Sequence, residues 1–169
     1  MTSANPISFI FDILGYIPEF HARTNPNYKF LDSMLINAVE SKFGKNTICK
    51  EHISGIGTID FPYFEMGSIN STHLFGLDEL IIFSFYMRNS GKYKNVADMG
   101  ANIGLHSIVL SQLGYNVSSY EPDPKHIKQL KFNIDRNCKN NGPTIYEKAI
   151  STENGITQFT RVVGNTTGS

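Results

Sequence analysis

Asp98 and Glu121 are the two acids of this sequence whose neighbours suggest chemistry. Asp98 closes the short apolar run Val96-Ala97 and opens the turn Gly100-Ala101-Asn102-Ile103-Gly104. One helix-length further on, Glu121 closes a second apolar run in Ser119-Tyr120-Glu121-Pro122-Asp123-Pro124. In a strand–helix–strand unit, an acid at the second strand end accepts hydrogen bonds from two vicinal ribose hydroxyls. A carboxylate fits because it offers two acceptor oxygens to two donors; a 2′-phosphate would be repelled. Gly100 and Gly104 stand where the chain must turn sharply from strand to helix. Without side chains they permit positive φ and let a ligand approach the backbone. N–H groups at the start of the next helix would face whatever polar group lies there.

The glycine spacing separates two kinds of ligand. A dinucleotide fingerprint reads Gly-x-Gly-x-x-Gly, and here Asn102 stands in place of the second glycine, so a pyrophosphate would approach the backbone less easily. Asp98 would meet an ammonium group directly or through water, and it is poor company for a pyrophosphate. Asn102 suits a helix cap as well as a ligand contact. A nucleotide-cofactor oxidoreductase of the NAD type is the alternative enzyme reading.

Other residues have weaker claims. His106, early on the helix after the turn, would serve a hydroxyl acceptor as general base if its reach to the proton were met; otherwise it is a packed or solvent-facing histidine. His73 has the same two readings. Asp123, before Pro124, reads as a helix cap with proline at the first helical position. Glu79 either favours a helix start or closes over the cofactor site.

The elements that must position these groups follow from periodicity. Lys94 to Met99 is a strand. Ile103, Leu105, Ile108, Val109 and Leu113 form one helical face closed by Gly114. Asn116 to Tyr120 is the next strand, and Ile127, Leu130, Ile134 and Cys138 carry a second helix to the stop at Gly142-Pro143. Thr144 to Ile150 is a third strand, with a further one over Gly155 to Val163. This alternation predicts an α/β fold with a parallel sheet, helices on both faces and right-handed crossovers.

Upstream, Pro6, Pro18 and Pro26 punctuate a short helix near residues 6–14 and a loop arm. From Tyr28, the residues Phe30, Leu31, Met34, Leu35, Ala38, Val39 and Phe43 give an amphipathic helix with Gly44 as its stop. Residues 47–69 suggest two or three short strands, and Pro62 argues against a central one. Leu77 to Met87 is apolar on nearly all sides, and its length and acidic opening favour helix over buried strand. Residues 1–75 thus form a mixed α/β N-terminal extension, and residues 76–169 the parallel unit.

With 15 basic and 15 acidic residues the chain has no electrostatic footprint for nucleic acid or an acidic membrane surface. Its two cysteines give neither a disulfide framework nor a zinc site. The apolar stretch Ile7–Leu14 is too short for a membrane span and wrongly flanked for a signal peptide, so a cytoplasmic location is expected.

In combination, Val96-Ala97-Asp98-Met99-Gly100-Ala101-Asn102-Ile103-Gly104-Leu105-His106-Ser107, Tyr120-Glu121-Pro122-Asp123-Pro124 and the set Leu130, Asn133, Asn137 closely resemble the FkbM family of S-adenosylmethionine-dependent methyltransferases. The likeness spans roughly residues 76–160. It implies a Rossmann-like class I methyltransferase sheet and methyl transfer, usually to a hydroxyl oxygen of a sugar or similar natural product, with no metal. Asp98, Gly100, Ala101, Asn102 and Gly104 would then hold the methionine end of the cofactor, Glu121 its ribose, and Glu79 would cover it. The family's later Asp-x-Glu-Gly motif is not found here, so the expected sheet is cut short after its third strand. An open strand edge would invite a homodimer, and a truncated, non-catalytic cofactor-binding fragment is the rival from another class. The expected partner is a small-molecule or glycan acceptor.

Overall fold

The computed structural model describes residues 5–156 and residue 158. Packing divides the chain into two compact units. One runs to Phe64 and resumes over Asn70–Asn89; the other takes Glu65–Ile69 and the chain from Ser90 on.

The first unit opens with helix α1 (Pro6–Tyr16), capped by the Asn5 side chain, which accepts from the Ile7 and Ser8 amides. A 3-10 turn (Pro18–His21) leads to helix α2 (Pro26–Phe43), where Asn25 caps and Pro26 takes the first turn. These start signals lie just ahead of Tyr28, where the apolar period begins. The buried stripe of α2 is Tyr28, Leu31, Leu35, Val39 and Phe43. Phe30 and Met34, expected on that face, are 62% and 38% exposed. Stripe width depends on how many elements pack against a helix, and the period alone does not report that number. Gly44 ends α2 without left-handed geometry; a Cβ there would collide with the Glu40 carbonyl.

Strands β1 (Lys50–Ile53) and β2 (Gly57–Asp60) form an antiparallel hairpin, with Lys50 opposite Asp60. The two-residue strands β3 (Glu65–Met66) and β4 (Ile69–Asn70) pair separately. Pro62 falls between β2 and β3, in no strand. A second 3-10 turn (Ser71–Phe75) precedes helix α3 (Leu77–Asn89). Its buried residues, Leu77, Leu80, Phe83, Ser84 and Asn89, recur at helical steps. This helix, read from sequence with the second segment, packs in the first unit. The unit's core is aromatic at its centre: the Phe43 and Phe75 rings stack with centroids 3.8 Å apart, and Phe61 meets Phe75 edge-on at 5.7 Å.

In the second unit, β5 (Asn95–Met99), α4 (Leu105–Gln112), β6 (Asn116–Tyr120), α5 (Pro124–Asn137) and β7 (Thr144–Tyr146) alternate. The strands are parallel in the order β5-β6-β7, which sets Asp98 beside Ser119 and Ser119 beside Ile145. Parallel neighbours need long crossovers, and α4 and α5 supply them. Helix α4 packs on the face carrying Asp98 and Ser119, and α5 packs against α4. On the alternate positions Met99 is 66% and Tyr146 37% exposed. The third strand is shorter than expected, ending at Tyr146 rather than Ile150. There the Lys148 amide donates to the Tyr146 carbonyl at 2.8 Å, a tight turn that takes the backbone out of the ladder. The further strand expected over Gly155–Val163 falls largely outside the described residues. No helix among the described residues is long and apolar enough to cross a membrane.

Candidate functional site

The turn after β5 is built from left-handed residues. Gly100, Asn102 and Gly104 have φ of 81°, 51° and 92°, a region that glycine enters freely and asparagine more easily than most. At Gly104 a Cβ would also lie 3.2 Å from Leu130 Cγ, so helix α5 needs a glycine there. At Gly100 a Cβ would meet nothing within 4 Å. The loop is open above Gly100 and closed beneath Gly104.

The end of β6 holds this loop in place. The Tyr120 carbonyl accepts from both the Gly100 and Ala101 amides at 2.9 Å, and Glu121 Oε2 accepts from the Asn102 amide at 2.8 Å. The Gly104 amide donates to the Ala101 carbonyl at 2.8 Å. Glu121 Oε1 accepts from the Asp123 amide at 2.8 Å and lies 3.8 Å from His126 Nδ1. The Glu121 amide in turn donates to the Tyr146 carbonyl on β7 at 3.1 Å. Glu121 is only 6% exposed, so it is part of the loop's scaffold as well as a candidate ligand group.

Asp98 is fixed from below. The Ser107 hydroxyl donates to Asp98 Oδ2 at 2.5 Å and contacts the Ser119 hydroxyl at 2.6 Å, with both serines buried. Asn133, fully buried on α5, donates to the Ile103 carbonyl at 2.7 Å and accepts from Gln129 at 2.9 Å. Asn133, one of the two asparagines of the Leu130-Asn133-Asn137 set, thus ties the glycine loop to α5.

The Gly100, Ala101, Asn102 and Gly104 amides are therefore engaged within the protein, and the loop and the two strand ends also carry acceptors. A carboxylate oxygen has more than one lone pair, so each Glu121 oxygen keeps capacity beyond its backbone partner. Asn102 Oδ1 is buried and has no hydrogen bond among the described residues. Burying a polar atom without a partner costs about 1–3 kcal/mol, which makes this oxygen a natural acceptor for an N–H or O–H from a ligand.

The other candidates have different placements. Asp123 caps α5, its Oδ1 accepting from the Lys125 amide at 2.8 Å. His106 is half-buried on the first turn of α4. His73 closes a capping box in the turn before α3, its Nδ1 accepting from the Asn70 amide at 3.1 Å. Glu79 lies on the first turn of α3, in the first unit, where it lines a cleft of about 500 Å³ with Arg23, Tyr28, Asp32 and His73. Ser107, Ser119 and His126 were not singled out by sequence reasoning. Only the β5–β6 register puts Ser119 beside Asp98, and serine in an apolar segment carries no signal of its own.

In that cleft the Tyr28 hydroxyl donates to Asp78 Oδ1 at 2.7 Å, and Arg23 pairs with Asp78 Oδ2. The Arg23 guanidinium and the Tyr28 hydroxyl hold the Asp78 carboxyl below its usual range. Burial, helped by Asp78, pushes the Tyr28 phenol up from 10.0 to about 12. A raised folded value means that its contribution is complete below pH 10 and is lost as pH rises toward 12. The tyrosinate absorbance of wild type minus Tyr28→Phe should therefore show one phenol ionising near pH 12; ionisation near 10 would refute the pairing.

No family model matches the chain, and no curated protein does. Solved structures that match the chain include a SAM-dependent methyltransferase from Agrobacterium tumefaciens and a protein-L-isoaspartate O-methyltransferase. The first has 11% identity and a TM-score of 0.45 over 59% of this chain. The second has 16% identity and a TM-score of 0.44 over 85% of it. The chain spans 32% and 42% of those two structures' lengths, respectively.

Proposed function

We propose that the second unit is the cofactor-binding part of an S-adenosylmethionine-dependent methyltransferase of the FkbM type, acting on a hydroxyl of a small-molecule or glycan acceptor. One observation carries the reading: four backbone amides of the glycine loop are engaged within the protein, beside the acceptors Asp98, Asn102 Oδ1 and Glu121. The Gly100, Ala101, Asn102 and Gly104 amides are already bonded within the protein. A pyrophosphate needs free backbone donors at such a turn, so a dinucleotide is a poor match. Asp98, Asn102 Oδ1 and the Glu121 carboxylate suit a ligand that brings an ammonium at one end and vicinal hydroxyls at the other. S-adenosylmethionine has both and no phosphate.

In this reading Glu121 holds the ribose hydroxyls, while Asp98 and Asn102 hold the amino-acid end. The open space above Gly100 admits the ligand to the backbone. The bound cofactor supplies a methyl group already activated by its sulfonium, so the protein's main task is alignment, with a base to take the acceptor's proton. The Ser107–Ser119 contact keeps Asp98 in one rotamer, and the Asn133 bond keeps the loop at a fixed height over α5. His106, on the first turn of α4, is the candidate base.

Isothermal titration of this chain with S-adenosylmethionine, S-adenosylhomocysteine and NAD tests the proposal. Saturable binding of the first two with none for NAD is expected. NAD binding without response to either sulfur ligand would overturn it.

A further inference from the structure

We infer that His126 is a positioning residue that holds the Glu121 carboxylate in its ligand-ready orientation, a role that rests on the reading of Glu121 as the ribose acceptor. The two side chains are 5% and 7% exposed, with His126 Nδ1 3.8 Å from Glu121 Oε1. That distance is beyond a hydrogen bond, so the contact acts through charge and dipole. In a buried setting such a term is little screened. A lone pair on Nδ1 facing the carboxylate would be repelled, so the neutral ring carries its proton on Nδ1.

The location explains how one residue does this. Asp123 is the cap of α5 and Pro124 its first residue, which makes His126 the third residue of the helix. In a capping box that position reaches back with a carboxylate or amide acceptor toward the cap's amide. Here it offers a donor toward an acid two residues before the cap. Glu121 Oε2 is held by the Asn102 amide of the glycine loop, whereas Oε1 has the Asp123 amide from its own segment. His126 adds an anchor on the Oε1 side, from helix α5, and opposes rotation of the carboxylate about its last bond.

The experiment compares His126→Asn, His126→Gln and His126→Leu. An asparagine amide nitrogen falls near the place of Nδ1, a glutamine amide near that of Nε2, and leucine supplies neither. S-adenosylhomocysteine affinity should fall about fivefold to tenfold in the leucine and glutamine variants and stay within about twofold of wild type for asparagine. Thermal midpoints of all three separate this pattern from a loss of folding, which would not distinguish asparagine from glutamine. Equal affinity in the asparagine and glutamine variants, or wild-type affinity with leucine, overturns the inference. A second readout needs no ligand: ¹⁵N ring shifts should show neutral His126 protonated on Nδ1, and protonation on Nε2 alone overturns the inference. If wild type fails to bind S-adenosylhomocysteine, the methyltransferase proposal falls and the ring shifts alone decide the role of His126.

Discussion

Glu121→Gln should destabilise the second unit and at the same time weaken binding of any ribose-bearing ligand by at least about tenfold. The substitution looks conservative and is not. Glu121 places one carboxylate oxygen on the Asn102 amide and the other on the Asp123 amide, each at 2.8 Å, in a site 6% exposed. Glutamine has one acceptor oxygen, so whichever way its amide lies, one of those N–H groups faces an NH₂. An unsatisfied buried donor costs about 1–3 kcal/mol, and Glu121→Ala, which strands both, roughly twice that. Urea denaturation measures the stability loss, and titration with adenosine and its 2′,3′-dideoxy analogue measures the ligand term. Adenosine should lose affinity in the variant while the dideoxy compound, which has no hydroxyls to offer, changes little. Wild-type stability in Glu121→Gln would mean that the carboxylate is not the scaffold of the loop.

Phe75→Ala should cost the first unit about 3–5 kcal/mol, the range for deleting a buried aromatic ring. Phe75 is fully buried, stacked on Phe43 at 3.8 Å and edge-on to Phe61 at 5.7 Å. Its removal opens a cavity and takes away two aromatic contacts, each worth about 0.5–1.5 kcal/mol beyond area burial. Backbone constraint limits collapse into the gap, because Phe75 ends a 3-10 turn that leads directly into α3. Phe75→Leu keeps most of the volume and should lose under half as much, about 1–2 kcal/mol. Denaturation midpoints followed by near-ultraviolet circular dichroism would check both values. A loss below about 1 kcal/mol in the alanine variant would show that the three rings are not the centre of that core.

The elements of the parallel unit were legible because each is signalled by local chemistry. Asp123 and Pro124 open α5 as a cap and first residue should, and the glycine turn sits where β5 gives way to α4. Such features depend on a few neighbouring residues and their φ preferences, which a sequence displays directly. The errors lie where distant segments decide. Phe30 and Met34 follow the helical period of α2, yet α2 buries a narrower stripe. Thr144 to Ile150 reads as one strand, yet a turn at Tyr146 and Lys148 ends the ladder.

The candidate site divides in the same way. By itself the sequence determined which residues end the two strands and turn the chain between them: Asp98 and Glu121 at or just past the strand ends and the glycines of the turn, because their spacing follows from the length of one strand–helix–strand repeat. Only the tertiary structure decided which of the loop's polar groups are already engaged. Whether the amides at Gly100, Ala101 and Asn102 are free depends on the strand register that brings the Tyr120 carbonyl and the Glu121 carboxylate beneath them. Register is a long-range property, set by which side chains of two strands pack against the same helix. For the same reason Ser107 and Ser119, unremarkable in sequence, meet at Asp98.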